Sequence, residues 1–392
     1  MTRELVICAV GDFCPRPRPE NSATQTLFAG VDETLGQADL RIVNVEVPLT
    51  TRKHPIVKSG PHLSAPPQVA DLLKGRFEVA LLANNHILDH GPQAALDTIE
   101  ALHKRGLRTV GAGPNHEQAS RPLVIKAKGF SVAILNVCEH EFGVAGKDSA
   151  GGAGLRPFHL IRQIIDLRAK HDIVLVFTHG GNEMNPLPSP RVVAMNRAFA
   201  EVGASAVINT HPHVPQAVET WKGTPIAYSL GNFVFDSSRE RDSLWWVGMP
   251  VLLKFAEAGG GIRAAMTPIF TRLSLPSSRL EMVRGEARAQ LRRWLKEISR
   301  VLKDERLLQE YFDAWTTMDG ASYYRAFMKD HGMRVVTRQD RDAYAGLRHL
   351  WTCEAHNELI TTYVDMKFDG RLKAAETRLD TLKKWMEGEP AG

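Results

Sequence analysis

Three things are scarce in this chain of 392 residues: cysteines, long apolar runs and net charge. The four cysteines are scattered and form no Cys-x-x-Cys pair, and two of them, Cys8 and Cys138, lie in apolar, strand-like runs. We interpret these two as buried thiols, which are typical of proteins that are not held together by disulfides. The cysteines therefore predict a protein of a reducing compartment.

No apolar run approaches the length of about 20 residues that a membrane-spanning helix needs. Met1 to Leu5 leads directly into the strand-like residues 6–10, with no longer apolar segment of the kind that marks a secretory signal. From these absences we expect a cytoplasmic protein without a membrane anchor.

The formal net charge is +5, which is small for this length, and no dense basic run or basic patch with interleaved aromatic residues accompanies it. We therefore expect no nucleic-acid partner. Hydrophobic residues make up 43% and charged residues 24% of the chain, so it has the composition of an ordinary globular protein with a large core.

What the chain does contain is an alternation of strand-like and helical patterns from Leu5 to about Arg272. Apolar runs bounded by turn residues indicate buried strands, and segments of helical periodicity between them indicate covering helices. The alternation predicts an α/β fold with two sheets between helical layers. The predicted strands are residues 5–10, 40–45, 77–82, 131–137, 173–178 and 206–210, with shorter pieces at 217–220, 225–229, 251–255 and 263–270, and the predicted helices are 92–105, 160–170 and 191–202.

Past residue 275 the sequence changes to charged, helical segments. We predict helices at 284–302, 305–315, 340–351 and 371–386. This gives a catalytic domain, residues 1–275, and a helical C-terminal extension, residues 276–392, of a usual size for a small domain. The aromatic residues of the extension fit packing against the catalytic domain, and a partner surface or a homo-oligomer through these helices is the alternative.

Five of the predicted strands run into short polar segments. In open α/β sheets, ligands and catalytic groups collect at the carboxyl ends of strands, so these segments are the candidate site. Each also has a plainer interpretation by itself, as a capped turn, a surface charge or a histidine packed in the core. The segments are residues 11–14 with Asp12, 44–46 with Glu46, 83–91 with Asn84, Asn85, His86 and Asp89, 178–183 with His179 and Glu183, and 209–213 with His211 and His213.

The pair of His211 and His213 gives a stronger signal than a lone histidine. In an extended segment, an H-x-H pair points both imidazoles to the same side, where they can chelate one metal ion or serve two adjacent ions. Residues 83–91, by contrast, are as consistent with an Asn-rich turn as with a functional site.

An Asp, a Glu, an Asn and three histidines at strand ends together favour a metal site over a set of unrelated turns. Carboxylate, amide and imidazole ligands without thiolate suit Mn, Fe or Zn. A bridging carboxylate can hold two such ions roughly 3.5–4 Å apart, and water between them would become a hydroxide nucleophile. A histidine that is not needed as a ligand could protonate the leaving group.

These segments resemble the CapA family, named for its poly-γ-glutamate capsule biosynthesis members, within the calcineurin-like metallophosphoesterase superfamily. The similarity covers residues 5–255, and the segments occur in the family's order. The resemblance implies a four-layer α/β/β/α metallophosphatase-like sandwich. The matching segments are residues 11–12, 44–46, 83–91, 179–183, 211–216 and 228–236.

The resemblance also implies a role for each matching residue. His86 would be the general acid, assisted by Asp89. Asn84 and Glu183 would face the substrate or orient the ligands. The metal ligands would be Asp12, Glu46 in the bridging position, Asn85, His179, His211 and His213.

The sequence departs from the superfamily's motifs at several of these positions. The first motif, usually Asp-x-His, ends here in Cys14, which could ligate a metal or leave one site a ligand short. The last position of Gly-Asn-His-Asp/Glu is Ile87, so Asp89 would have to reach back from the next turn. Thr210 replaces the glycine of Gly-His-x-His, and Gly180 stands where the family commonly has tryptophan.

Residues 231–242 form the candidate substrate loop. Arg239 and Arg241 could grip a carboxylate or a phosphate through paired hydrogen bonds. A solvated, charged loop is the alternative interpretation of both arginines.

Two functions of different classes follow from the sequence. The first is a dinuclear metal-dependent hydrolase that uses a metal-bound hydroxide on a phosphoester or amide-type substrate, which would be a small molecule or a polymer fragment. The alternative is a non-hydrolytic accessory protein of poly-γ-glutamate or related polymer biosynthesis. The complete set of ligand residues favours the first, because a scaffold needs no such ligands.

Overall fold

The computed structural model describes residues 3–15, 27–236, 243–274, 279–338 and 340–391. Within these residues the chain forms two large sheets, two small sheets and the helices that cover them. The strands are β1 (Glu4–Cys14), β2 (Leu40–Val45), β3 (Val79–Leu81), β4 (Arg108–Val110), β5 (Ala112–Gly113), β6 (Leu123–Ala127), β7 (Phe130–Cys138), β8 (Gly151–Gly152), β9 (Ile173–His179), β10 (Ala206–Thr210), β11 (Val218–Trp221), β12 (Thr224–Ala227), β13 (Asn232–Phe235), β14 (Val247–Gly248), β15 (Val251–Ala258), β16 (Gly261–Pro268), β17 (Thr271–Ser274) and β18 (Arg279–Met282).

The helices lie between the strands in the first part of the chain and follow one another in the last part. The α-helices are α1 (Asp32–Leu35), α2 (Pro92–His103), α3 (His116–Ala119), α4 (Pro157–Arg168), α5 (Pro190–Glu201), α6 (Gly285–Val301), α7 (Glu305–Arg325), α8 (Arg334–Arg338), α9 (Arg341–Thr352), α10 (Glu354–Phe368), α11 (Leu372–Ala375) and α12 (Leu379–Met386). A π-helical segment, Ala326–Met333, joins α7 to α8.

The first large sheet has the strand order β16-β15-β1-β2-β3-β4, and β13 pairs in parallel with the end of β1. Strands β1 to β4 are parallel, whereas β15 and β16 add an antiparallel edge. The sequence explains these positions. Strand β2 is apolar and almost wholly buried, as a central parallel strand must be, whereas β16 alternates exposed with half-buried residues.

The second large sheet has the order β11-β12-β10-β9-β7-β6. Strands β7, β9, β10 and β12 run parallel to one another, β6 and β11 are antiparallel edge strands, and every residue of β9 is buried. A short, continuous apolar run bounded by turn residues therefore did indicate a central strand here.

The two sheets pack face to face, with Phe177 and Phe255 in the apolar layer between them. The opposite face of the first sheet is covered by α2 through Leu102, and the opposite face of the second by α5 through Phe199. The layers are helix, sheet, sheet and helix, so the predicted four-layer sandwich is confirmed.

The C-terminal helices share a core with the second sheet. Trp294 of α6 is completely buried, and its indole N–H donates to the backbone carbonyl of Trp385 at 2.9 Å. Trp294 and Tyr311 of α7 belong to the same apolar cluster as Phe199. Strand β18 also lies past residue 275 and pairs with β17. The two parts are therefore continuous in packing, and the division at residue 275 stays a prediction about folding units.

Several C-terminal elements differ from the sequence prediction, among them β18, the segment Ala326–Met333 and α8, none of which was predicted. Helix α7 continues well past the predicted end at residue 315. The predicted helix 371–386 is broken into α11, a short 3₁₀ turn and α12. Helix α10 was not predicted at all.

All four cysteines are free thiols, and all are buried. In the ranges given above, no helix is both long and apolar enough to cross a membrane. The reducing compartment and the cytoplasmic location stay predictions.

Candidate metal centre

The predicted ligand residues meet where strands of both large sheets end. His179 is the last residue of β9, Thr210 is the last residue of β10, and Glu46 directly follows β2. Parallel strands present their carboxyl ends at one edge, which is where α/β proteins form their sites. A cavity of about 740 Å³ opens above these residues.

Asp12 lies within β1, and not after it as predicted, because the strand runs on to Cys14. The pairing register of β1 shifts on both sides of Asp12, an irregularity of the β-bulge type that re-aims a side chain. The buried carboxylate accepts hydrogen bonds from Asn44 Nδ2 at 2.7 Å and from the backbone N–H of His211 at 3.2 Å. Burial opposes its charge, but the hydrogen bond and charge of His213 lower the pKa of Asp12 to about 2.

Glu46 is completely buried, and neither of its carboxylate oxygens has a hydrogen-bond partner. Oε1 lies 3.6 Å from His179 Nε2 and 3.7 Å from His213 Nε2. Burial, together with the charge of Asp12, raises the pKa of Glu46 well above its ordinary value. Because buried carboxylates are normally paired or bound to metals, this arrangement is the one expected around a cation.

The segment with His211 and His213 is not extended, and this part of the prediction is wrong. The two histidines have φ angles of 98° and 61°, a region that residues other than glycine rarely adopt. Both imidazoles nevertheless reach the centre. His213 Nδ1 lies 3.0 Å from Asn232 Oδ1, which leaves Nε2 on the side of Glu46. Strained backbone of this kind is typical of functional sites.

Asn85 and His179 face each other across the centre. The amide oxygen of Asn85 lies 3.1 Å from His179 Nε2, and its Nδ2 donates to Glu141 at 3.3 Å. On the other side of the His179 ring, Nδ1 lies 3.0 Å from the hydroxyl of Thr210. The threonine that replaces the motif glycine therefore fixes the ring with Nε2 toward the centre.

The ligand atoms form two groups that share one carboxylate. Asp12, Glu46 and His213 make one group, and Glu46, His179 and His211 make the other, with the atoms of each group within 4.8 Å of one another. A carboxylate that belongs to both groups is what a bridging ligand requires. The unpartnered oxygens of Glu46 and the mixed set of donors therefore fit divalent cations.

His86 lies beside the ligands and is held by a buried ion pair. Its Nδ1 is 2.7 Å from Asp89 Oδ2, and Asp89 is paired with Lys58 and accepts a hydrogen bond from the backbone N–H of Leu63 at 2.6 Å. Burial lowers the pKa of His86, against the charge and hydrogen bond of Asp89. Asp89 thus reaches back from the next turn as expected, and Lys58 is a partner that sequence reasoning missed.

Asn84 does not line the cavity. Its Nδ2 donates to the backbone carbonyl of Val45 at 2.9 Å, and its Oδ1 accepts from the backbone N–H of His86 at 3.2 Å. Of the two roles that the sequence suggested for Asn84, its hydrogen bonds fit the orienting role and not contact with substrate. The side chain holds the turn that presents Asn85 and His86, which is the Asn-rich turn recognised in the sequence.

The remaining predicted positions have different outcomes. Glu183 is exposed in the cavity, with a carboxylate oxygen within 4.8 Å of ligand atoms of His211 and His213. Cys14 is buried in the core and belongs to none of the ligand groups formed by the described residues. Arg239 and Arg241 lie outside the described residues.

The side chain of Glu139 leaves no room for a side chain at Gly180. A Cβ atom at this position would lie 2.4 Å from Cγ of Glu139. Glu139 is itself paired with Arg191, whose NH2 lies 2.7 Å from its Oε1. The space beside His179 is therefore filled by the buried Glu139 carboxylate and its ion pair with the half-buried Arg191.

One wall of the cavity comes from the C-terminal helices, which sequence reasoning did not connect with the site. Glu141 links the two parts, because its Oε1 lies 3.7 Å from His211 Nε2 and its Oε2 lies 3.4 Å from His349 Nε2. Aromatic residues at helical spacing are as consistent with packing in a core as with lining a cavity, so no local sequence signal identified this wall. Its residues are Trp315, Asp319, Tyr323, His349, His356 and Leu359.

Comparison with known proteins identifies the family. The model of the family described as bacterial capsule synthesis protein PGA_cap matches residues 6–237, which is more than half of the chain. The chain belongs to this family. The predicted resemblance to CapA proteins is therefore confirmed, and the match ends before α6.

Several relatives of known sequence carry names from the same field. The capsule biosynthesis protein CapA of Bacillus anthracis is 33% identical over 232 residues, covering 56% of each chain. The PGA biosynthesis protein CapA of Bacillus subtilis is 32% identical over 231 residues, covering 57% of this chain and 61% of the relative. A probable polyglutamine synthesis accessory protein of Mycobacterium tuberculosis is 29% identical over 230 residues, covering 55% and 57%. The chain thus spans little more than half the length of these curated relatives.

Solved structures give weaker similarities. A novel phosphatase of Mycoplasma pneumoniae has a TM-score of 0.44 at 17% identity, covering 69% of this chain and 95% of that one. The calcineurin-like phosphoesterase YfkN of Bacillus subtilis has a TM-score of 0.41 at 12% identity, covering 68% and 91%. At these TM-scores the similarity bears on neither the site nor the activity.

Proposed function

We propose that this protein is a hydrolase that depends on two divalent metal ions and cleaves a phosphoester or an amide-type bond. The observation that supports this most directly is Glu46, a buried carboxylate with two unpartnered oxygens in reach of His179 and His213. A protein that used this fold only as a scaffold would gain nothing from such a carboxylate, since an unpaired buried charge is costly.

The chain's own residues would hold the two ions in the groups described above. Asp12 and His213 would bind one ion, His179 and His211 the other, and Glu46 would bridge them. The amide oxygen of Asn85 lies beside His179 and would complete the second set. These donors suit Mn, Fe or Zn. When bound, such a pair acidifies water and neutralises negative charge that develops on the substrate.

His86 would transfer a proton to or from the leaving group. Its Nδ1 is engaged by Asp89, so Nε2 is the nitrogen that would serve the substrate in the cavity. Asp89 and Lys58 fix the plane and position of the ring because they hold one another as a buried ion pair. A positioned imidazole of this kind typically contributes a rate factor of about 10²–10⁴.

The names of the relatives support polymer biosynthesis as the setting, and with it the alternative of a non-hydrolytic accessory role. A γ-glutamyl amide is the amide-type substrate that this setting suggests. Phosphoryl and acyl transfer both need activated water and a clamp for negative charge, so the donor set supports either reaction.

A metal-reconstituted substrate screen tests the proposal. Full-length protein is stripped with a chelator, reloaded with Mn²⁺ or Zn²⁺, and offered phosphodiesters, phosphomonoesters and γ-glutamyl amides, with an Asp12→Ala variant in parallel. We expect turnover of one class by the loaded wild-type protein and loss of that turnover in the variant. Equal turnover by both proteins, or none in any class with the centre loaded, would contradict a hydrolase and favour the accessory role.

A further inference from the structure

A second group of metal-ligating side chains lies on the C-terminal helices. Helix α9 ends at Thr352 and α10 begins at Glu354, so the chain bends at Cys353. The bend brings His349, near the end of α9, to face His356, in the first turn of α10. One nitrogen of each histidine and the sulfur of Cys353 all lie within 4.8 Å of one another.

One nitrogen of each histidine in this group makes no hydrogen bond. His349 Nε2 and His356 Nδ1 are buried and make no hydrogen bond. Buried polar atoms nearly always have a partner, so two orphaned nitrogens in one cluster call for an explanation. The other nitrogen of His349, Nδ1, lies 2.8 Å from the hydroxyl of Ser59, a contact that orients the ring in the way outer partners orient metal-bound histidines.

Glu141 lies next to His349 and is a candidate fourth donor, outside the group of three residues whose ligand atoms lie within 4.8 Å of one another. Its Oε2 lies 3.4 Å from His349 Nε2, and its side chain is only 12% exposed. The other oxygen, Oε1, points toward His211 Nε2 at 3.7 Å. The carboxylate therefore lies between the centre around Glu46 and the cluster on the helices: Oε1 faces His211, and Oε2, which also accepts a hydrogen bond from Asn85 Nδ2 at 3.3 Å, faces His349.

We propose that His349, Cys353, His356 and Glu141 bind a Zn²⁺ ion at a site separate from the centre around Glu46. Two imidazoles, one thiolate and one carboxylate match the donors and the ligand number of tetrahedral zinc sites. The thiolate selects zinc over manganese, which prefers oxygen. Cys353 is the N-cap residue of α10, so the bend between the two helices places its sulfur between the two histidines.

In addition to the shared core, a bound ion would link the C-terminal helices to the catalytic half at the cavity. His349, Cys353 and His356 lie past residue 237, where the family match ends, whereas Glu141 lies within it. An ion held by both parts would fasten the corner between α9 and α10 to the catalytic half. The proposal is independent of hydrolysis, because it assigns no step of any reaction to this ion.

Cobalt substitution tests the site in the full-length protein. After removal of metals by a chelator, Co²⁺ is added and the near-ultraviolet spectrum is followed for sulfur-to-cobalt charge transfer. We expect the band in the wild-type protein, its loss in Cys353→Ser, and its persistence in Cys14→Ser, the matched cysteine next to the other centre. Serine is a good helix cap, so Cys353→Ser should keep α10 intact, which circular dichroism checks.

Elemental analysis gives a second readout. Zinc-loaded Cys353→Ser and His349→Gln proteins should each hold about one equivalent less than the wild-type protein. A wild-type protein without the charge-transfer band, a band that survives in Cys353→Ser, or an unchanged zinc content in both variants would overturn the proposal. None of these readouts uses activity, so they do not depend on whether the protein is a hydrolase.

Discussion

At the scale of single residues, Glu46 determines what the centre can do. Its oxygens face His179 and His213 but no hydrogen-bond donor, and the same carboxylate belongs to both groups of ligand atoms. Asp12, by contrast, is satisfied by Asn44 and by a backbone amide. The two buried acids therefore differ: hydrogen bonds from the protein hold Asp12 in place as a proposed ligand, whereas both oxygens of Glu46 are left for the proposed cations.

His86 gives a prediction at this scale. Replacement by glutamine keeps a hydrogen-bonding side chain next to Asp89 but removes the group that exchanges a proton with the leaving group. We expect kcat to fall by about 10²–10⁴ on substrates with a poor leaving group. The fall should be much smaller with nitrophenol as leaving group, because nitrophenolate departs without protonation.

Steady-state kinetics with both kinds of substrate measure this difference. His103→Gln is the matched control, since His103 is an exposed residue of α2 whose Nε2 lies 2.9 Å from the hydroxyl of Thr109. Equal losses on both kinds of leaving group would contradict the proton-transfer role and indicate a general disturbance of the centre.

The sequence predicted the residues that carry local signals. Asp12, Glu46 and Asn85 could be identified because each is a polar residue where a buried strand runs into a turn. Glu141 and His349 carry no such signal. They reach the centre only because a loop and a distant helix pack together, and this proximity is a property of the tertiary structure.

At the scale of elements, the parallel pairing of β1 with β13 shapes the centre. The chain crosses from β12 in the second sheet to β13 in the first, and Gly231 makes the crossing with a φ of 61°. The amide of Asp12 donates to the carbonyl of Gly231 at 3.1 Å. Asp12, a proposed metal ligand, and the strand crossing are therefore coupled through one hydrogen bond.

Gly11→Ala tests this coupling. A Cβ atom at Gly11 would lie 1.8 Å from the carbonyl oxygen of Gly231, so the two backbones would have to move apart. We expect a loss of stability of about 1–3 kcal/mol, and a loss of bound metal because Asp12 moves with the strand. Urea unfolding and elemental analysis measure the two effects.

Gly261→Ala is the matched control in the same sheet. A Cβ atom there would meet nothing within 4 Å, and the residue does not have a positive φ. Its stability should change by less than about 0.5 kcal/mol. A Gly11→Ala protein as stable as this control would show that β1 and β13 are not as tightly joined as the structure indicates.

The prediction of elements succeeded where the pattern was continuous and failed where it was not. Strands β9 and β10 each begin with a continuous apolar run and end in polar residues, and both were predicted to within a residue. Helix α10 was missed because it carries a run of β-branched and aromatic residues, 361–364, with low helix propensity, and leaves Phe368 90% exposed. Packing against α7 forms this helix, and no local preference shows it.

At the scale of the whole molecule, the C-terminal helices complete both the core and the cavity. They bury Trp294 against the second sheet and supply one wall above the metal ligands. The sequence suggested a boundary at residue 275 because composition changes there. Composition does not show which apolar face of a helix packs against which sheet, so the core shared by the C-terminal helices and the second sheet could not be predicted.

Trp294→Ala tests whether the two parts unfold together. The substitution leaves a large cavity and removes the hydrogen bond to the Trp385 carbonyl, so we expect the free energy of unfolding to fall by about 3–5 kcal/mol.

The wild-type protein gives a second test. Because the core is shared, circular dichroism and tryptophan fluorescence should report one coincident urea transition in the wild-type protein.

Trp351→Ala is the control, since Trp351 is 64% exposed. Its effect should stay below about 1 kcal/mol. Two separate transitions in the wild-type protein would instead support the predicted folding units, residues 1–275 and 276–392.

The metal content of a Glu46→Gln variant tests the central claim most directly. Full-length wild-type and variant proteins are stripped, reloaded with Mn²⁺ and analysed for bound metal, with Glu117→Gln as a control on the exposed surface. The bridging role of Glu46 predicts that Glu46→Gln binds at least about one equivalent less than the other two proteins, while its fold is unchanged by circular dichroism. A folded Glu46→Gln protein that holds as much metal as the wild type would contradict the proposed bridging role of Glu46.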